Sequence, residues 1–218
     1  MQCQFCKTNC QKAGRQKNGA QKLYCRSCKK YQQTTYQYKA YQNGISPMIS
    51  QLVCESVGIR GIARVLNIGI NTVLRRIVAI AGSISTPSIP VGLPSVQVDE
   101  LWTYIGRKDN EYWLAYALDK TTGNVINFII GKRTKITLRT LIDSLLAAGV
   151  KKIRTDKLTH YQKLIPRKIH HFSAYAINHI ERKNLSIRTH IKRLSRRTIC
   201  FNRNIHLLES CLKIYFWG

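Results

Sequence analysis

Ser95-Val96-Gln97-Val98-Asp99-Glu100-Leu101-Trp102-Thr103-Tyr104-Ile105 is the stretch that decides the fold. It reads as a β-strand over Val96–Ile105, with an aspartate in mid-strand. Lys152-Ile153-Arg154-Thr155-Asp156 is a second strand-like run, and it too ends on an aspartate. Glu181 follows after twenty-four further residues, on a long basic helix predicted from about Ala176 to Arg197. Ile177, Ile180, Ile187, Ile191 and Leu194 make the apolar stripe of that helix, and Glu181 falls at the stripe's edge. Eight Lys or Arg lie between Arg182 and Arg203 with no acid among them. Two strand aspartates and a helix glutamate, in a chain this basic, point to carboxylates that hold divalent metal against phosphate. Glu100 follows Asp99 directly and should face the other side of the strand. It would replace Asp99 if the register were shifted by one.

Around these acids the charge is one-sided. The 218 residues carry thirty-six Lys and Arg against ten Asp and Glu, a formal net charge of +26. Solubility alone needs only about 2–8 units in a small domain. Such an excess fits a polyanionic partner, and release of condensed counterions makes nucleic acid the first candidate. An anionic membrane is the other. However, no apolar run of about 18 residues occurs, nor does a basic segment followed by an apolar one at the start.

The other elements organise the chain. Residues 96–218 are predicted as three strands (96–105, 112–118 and 125–130), a helix at 138–148, a strand at 152–155, a helix at 158–165, a strand at 168–172 and two helices. That order is ribonuclease-H-like, so the expected fold class is α/β. Pro87, Pro90, Gly92 and Pro94 mark residues 83–95 as a linker. Residues 47–82 read as short helices around the turn Asn67-Ile68-Gly69, a helix-turn-helix. Asn71, Thr72, Arg75 and Arg76 would then project from the second helix toward base edges. An ordinary helical hairpin is the plainer reading of that segment.

Residues 1–46 hold the remaining signal. Cys3-Gln4-Phe5-Cys6 and Cys25-Arg26-Ser27-Cys28 are C-x-x-C pairs eighteen residues apart, a zinc-knuckle spacing. The apolar content there is too thin for a core, so Zn²⁺ would supply the folding energy. A pair of redox dithiols is the competing reading, but that motif belongs beside a βαβ pattern, and none is present. Cys10 stands as a spare thiol or alternate ligand. Cys54, Cys200 and Cys211 read as small hydrophobes. Free thiols without a leader segment imply a reducing, cytoplasmic setting.

The chain resembles transposases of the insertion-sequence-one family. The resemblance rests on Val98-Asp99-Glu100-Leu101-Trp102-Thr103-Tyr104-Ile105, on Thr155-Asp156 with Tyr161, and on Ile180-Glu181-Arg182-Lys183-Asn184-Leu185-Ser186-Ile187-Arg188. Leu194-Ser195-Arg196-Arg197-Thr198 with Phe201 adds to it. Leu158 departs from the family pattern, which has Trp there. The resemblance implies a DDE enzyme with a ribonuclease-H-like domain, with Asp99, Asp156 and Glu181 as its triad holding two Mg²⁺ or Mn²⁺. It also implies double-stranded DNA partners (terminal inverted repeats and target), a homodimer or larger assembly, and a prokaryotic, nucleoid-associated location. Arg188 and Lys192, predicted on the face of Glu181, would hold phosphate beside the metals. A non-catalytic DNA-binding regulator and a metal-dependent nuclease are the alternatives.

Overall fold

The strand that carries Asp99 is the middle strand of a five-stranded sheet. The computed structural model describes residues 1–33, 38–172, 178–198 and 200–218, and these divide into two compact units, Met1–Asn43 and Gly44–Gly218. In the first unit, β1 (Gln11–Arg15), β2 (Gln21–Tyr24) and β3 (Tyr31–Gln33) form a three-stranded antiparallel sheet. The segment between the cysteine pairs is therefore a hairpin, β1–β2, with Gly19 in its turn at φ 78°.

The second unit begins with α1 (Ile45–Cys54), α2 (Ile59–Leu66) and α3 (Ile70–Ser83). Glu55 is the C-cap of α1, and Gly58 is the N-cap of α2. Asn67 closes α2 in the left-handed region, at φ 51°, where an Asn costs less than most residues. Ile62, Ala63, Leu66, Ile68, Val73 and Ile77 are buried, and Leu74 is partly so.

The sheet of this unit has five strands in the order β6-β5-β4-β7-β8. Strands β4 (Val96–Tyr104), β5 (Glu111–Asp119) and β6 (Val125–Gly131) are antiparallel, and β7 (Ile153–Thr155) and β8 (His170–Phe172) run parallel to β4. Asp119 is buried at the β5–β6 turn, where its carboxylate accepts from Thr121 N at 2.9 Å and Thr122 Oγ1 at 2.8 Å. Alternation along β4 sorts its side chains onto two faces. Val96 and Val98 join Leu138, Leu141, Ile142 and Leu145 of α4 (Lys135–Ala147) and Tyr161 of α5 (Thr159–Leu164). Leu101, with Leu114, Tyr116 and Leu118 of β5, joins Ile180 and Ile187 of α6 (Asn178–His190) and Leu208 and Leu212 of α7 (Ile205–Trp217).

Two expectations change. The long basic helix ends at His190, and Lys192–Leu194 form a separate 3-10 turn. Side chains take over where helical hydrogen bonds would continue. Ser195 Oγ donates to Arg188 O at 2.9 Å, and Ser56 Oγ donates to Thr189 O at 3.0 Å while accepting from Lys192 N at 2.8 Å. Helical periodicity therefore cannot carry Lys192 onto the face of Glu181. Of the predicted apolar stripe, Ile180, Ile187, Ile191 and Leu194 are buried, and Ile177 lies outside the described residues.

The Pro-rich segment 84–95 has no regular structure, yet it is tied down. Gly92 N donates to Ala148 O, Leu93 O accepts from Lys151 N, and Ile89 and Leu93 pack on the α4 core. Helices α1 and α3 pack on α7. Among the described residues no single helix is long and apolar enough to cross a membrane.

The two sides of these helices should separate in a stability test. Leu145 is fully buried and Leu185, on the outer side of α6, is 68% exposed. Leu145→Ala should cost about 2–5 kcal/mol in urea unfolding, and Leu185→Ala should stay within about 0.5 kcal/mol of the parent.

Candidate active site

Asp99 lies at the middle of β4, on the face covered by α6. It is largely buried, and both carboxylate oxygens are occupied: Oδ1 accepts from Glu100 N at 2.7 Å and Oδ2 from Asn184 Nδ2 at 2.6 Å. Burial raises its pKa from the ordinary 3.8 to about 6, against those two donors, and the nearby charges of Asp156 and Glu100 add to the rise. Asp156 follows β7 directly. Gln97 pairs with Arg154 in the β4–β7 register, so Asp156 shares the parity of Gln97 and Asp99 and reaches the same face. Its Oδ1 accepts from Leu158 N at 3.0 Å, which fixes the turn into α5. Leu158 itself packs against the α4 core, so a leucine serves at this position.

Glu181 lies in the first turn of α6 and is exposed. The helix is docked on β4 at two points beside it: Ile180 N donates to Gln97 Oε1 at 2.9 Å, and Asn184 donates to Asp99. Asp99 and Asp156 are thus close enough to feel each other's charge, and the helix that bears Glu181 covers the same face. The three do not close into one shell of ligand atoms within 4.8 Å; among the described residues only the cysteine cluster does so.

Glu100 is on the opposite face, as alternation required. Its side chain is 3% exposed, pairs with Arg133 Nε at 2.6 Å and accepts from Tyr161 Oη at 3.1 Å. Arg133 in turn stacks on Trp113, 4.2 Å from the ring centroid. With a cation already in contact, Glu100 has less to gain from a metal than Asp99, whose two donors are neutral.

Other predicted positions fall differently. Arg188 is half-buried, near enough to feel the charge of Asp99, and its Nη1 donates to Leu194 O at 2.9 Å. On α3, Asn71 and Arg75 are exposed and Arg76 partly so, while Thr72 is turned inward at 8% exposure. Thr72 therefore does not project, because position 72 falls on the side of α3 that packs within the helical core.

In the N-terminal unit, Cys3, Cys6, Cys25 and Cys28 bring their sulfurs within 4.8 Å of one another. Each C-x-x-C is followed by a lysine in the left-handed region, Lys7 at φ 65° and Lys29 at φ 56°, so the two loops turn alike. Backbone and Thr8 donors hold the Cys25 thiol down to about 5, and desolvation pushes Cys28 up to about 12. Four sulfurs this close cannot all ionise unaided; a soft divalent cation fits the set. Cys10 stays outside it.

Comparison with known proteins identifies the family. The family model described as IS1 transposase matches residues 93–216, more than half of the chain. The chain belongs to the IS1 transposase family. A second model, described as InsA C-terminal domain, matches residues 36–79. Among relatives, the Insertion element iso-IS1n protein InsB of Shigella dysenteriae is 35% identical over 53% of this chain and 88% of its own length. The Insertion element IS1 protein InsB of Shigella flexneri is 34% identical over 55% of this chain and 91% of its own. A cryo-EM structure of the simian T-cell lymphotropic virus intasome in complex with PP2A regulatory subunit B56 gamma aligns at a TM-score of 0.35 and 17% identity. It covers 65% of this chain and 57% of that one, too loose a match to carry an argument. Membership in the IS1 family brings a transposase-type function, and the helix-turn-helix brings DNA binding.

Sequence reading of this IS1-family chain missed Gln97, Tyr116 and Asn184. Asn184 was findable, since it falls one turn after Glu181; Tyr116 was hidden in an apolar strand.

Asp99 also sets a stability signature. A raised folded-state pKa means that the folded chain binds this proton more tightly than the unfolded chain does. Metal-free stability should therefore fall as pH rises from about 4 to above 6. An asparagine in place of Asp99 would avoid the cost, because the Asn184 amide can flip: the new side-chain NH₂ would donate to Asn184, and Asn184 would donate to Tyr116 Oη. Asp99→Asn should gain about 1–3 kcal/mol in urea unfolding at pH 7.5 in magnesium-free buffer, with the gain gone at pH 4.

Proposed function

We propose that this protein is a DNA transposase that binds the terminal inverted repeats of an insertion element, cleaves a phosphodiester at each end and joins the freed 3′-OH to target DNA. The observation that carries this reading is the convergence of Asp99 and Asp156, on adjacent strands, beneath the helix that bears Glu181. The strand order, with three antiparallel strands followed by two parallel ones, supports a ribonuclease-H-like catalytic domain over residues 96–218.

The fit to divalent metal rests on chemistry in hand. The donors are hard carboxylate oxygens, and Asp99 carries a charge that burial and Asp156 disfavour, which a cation would relieve. Asp99, Asp156 and Glu181 would hold two Mg²⁺ or Mn²⁺. Cations held there supply Lewis acidity for in-line displacement at phosphorus. The chain's own residues do the rest. Gln97 and Asn184 keep α6 on the sheet, so that Glu181 faces the site of the two aspartates. Arg188 adds positive charge beside Asp99. Asn71, Arg75 and Arg76 of α3 are the candidates for DNA contact, and Lys192 offers phosphate contact from the 3-10 turn. The N-terminal unit, with Zn²⁺ on Cys3, Cys6, Cys25 and Cys28, would add to repeat binding. Two ends must be joined at one target and a chain carries one triad, so the acting form is a homodimer or larger assembly on DNA. A regulator that binds DNA without catalysis would have no need of Asp99, whose burial is costly.

Triad substitutions test the reading. Asp99→Asn, Asp156→Asn and Glu181→Gln should each abolish cleavage and strand transfer in the presence of Mg²⁺, with repeat binding in a mobility-shift assay unchanged. Glu100→Gln should keep the chemistry but lose stability, since it breaks the pair with Arg133. Strand transfer surviving in all three triad variants would refute the proposal.

Metal analysis of the full chain should give about one zinc per protein, falling on Cys25→Ser. Stoichiometric zinc in a Cys25→Ser, Cys28→Ser double variant would assign the ion to other ligands.

A further inference from the structure

Between Asp99 and Glu181 stands a residue that neither ionises nor reacts. The amide of Asn184 is held at both ends: Oδ1 accepts from Tyr116 Oη at 2.7 Å, and Nδ2 donates to Asp99 Oδ2 at 2.6 Å. Tyr116 is fully buried on β5, directly opposite Asp99 in the antiparallel register, so both side chains rise on one face. Its hydroxyl also lies 3.1 Å from Ile180 O, in the first turn of α6. The ionised carboxylate, which can only accept, settles which way the amide points, and the hydroxyl holds it there by donating to Oδ1.

The geometry has a mechanical side. Gln97 holds Ile180 N, and Asp99 holds Asn184. The two anchors lie two residues apart on β4 and four apart on α6, about one helical turn. Glu181 lies between them. The spacing of Asp99 from Glu181, on separate elements, is therefore set by the Asn184 amide. The same bond fixes the rotation of the Asp99 carboxylate. The amide takes one lone pair of Oδ2 and Glu100 N takes one of Oδ1, which leaves one on each oxygen for a cation. Outer partners of this kind set both the orientation and the basicity of a ligand.

We propose that Asn184 is a positioning residue for the carboxylate site, oriented in turn by Tyr116. The proposal rests on the reading of Asp99, Asp156 and Glu181 as metal ligands.

The test is Mn²⁺ binding to the full-length, zinc-loaded protein without DNA, read from the free Mn²⁺ signal in electron paramagnetic resonance. Asn184→Ala should weaken binding about 10–100-fold. Its DNA cleavage should fall at low Mn²⁺ and recover in part at high Mn²⁺. Tyr116→Phe keeps the ring in the core and removes only the hydroxyl, so it should shift half-saturation in the same direction by about fivefold. If Asn184→Ala does not fold, Tyr116→Phe decides alone. Parental Mn²⁺ affinity in the folded variants overturns the proposal, even if their thermal midpoints drop, because that pattern is a purely structural role. Asp99→Asn is the separate control: if it binds Mn²⁺ as tightly as the parent, the metal-site reading itself fails.

Discussion

Burial of the Asp99 carboxylate is the constraint around which the larger unit is organised. An ionised group in the middle of a sheet is costly unless it is hydrogen-bonded, and here two N–H donors are supplied, one by the next residue and one by a helix. The helix donor brings α6 onto β4, and α6 brings Glu181. The buried tyrosine that orients that donor is part of the core shared with α6 and α7. On the other face of the same strand, Glu100 is satisfied by Arg133 and Tyr161, so the two adjacent acids do not compete for one environment. The remaining surface carries most of a net +26 charge. In such a protein a carboxylate left with spare lone pairs beside a second one is well suited to a cation that also meets phosphate.

Much of this was legible in the chain itself. Period-two alternation in Val96–Tyr104 placed Asp99 and Glu100 on opposite faces, and the register with β5 and β7 bears that out. Apart from the end of α6, the strands and helices after residue 96 fall within a few residues of their predicted bounds, because each apolar run is bounded by turn residues such as Gly123 and Gly149. The cysteine spacing led to the sulfur cluster because ligand geometry is local. What could not be read depended on side chains from distant segments. The hydroxyl of Ser56, which satisfies the end of α6 from more than 130 residues away, is invisible to helical periodicity. For the same reason the predicted helix ran on through Lys192. Tyr116 looked like one more apolar strand residue, since its polar atom acts only across the sheet-to-helix interface.

The segment around Ser56 shows how the DNA-binding helices relate to the rest of this unit. Ser56 follows α1 with φ 65°, an uncommon conformation for a residue with a side chain. In that conformation its hydroxyl meets both Thr189 O and Lys192 N. Gly58, two residues on, has the Cys200 sulfur 3.5 Å from where a Cβ would lie. The stretch between α1 and α2 is therefore shaped as much by contact with the end of α6 as by its own turn.

Helix α7 has a consequence for the order in which the chain can become functional. It is made of residues 205–217, yet it packs on α1 and α3 as well as covering the sheet. During synthesis α1 and α3 emerge well before the surface on which they rest. Until residues 205–217 leave the ribosome, α1 and α3 lack that apolar support. A chain cut short before this point would carry recognition side chains on an incomplete scaffold. On the function proposed above, abortive products would then be poor competitors for the element's ends, and occupancy of those ends would favour chains that also carry Asp99, Asp156 and Glu181.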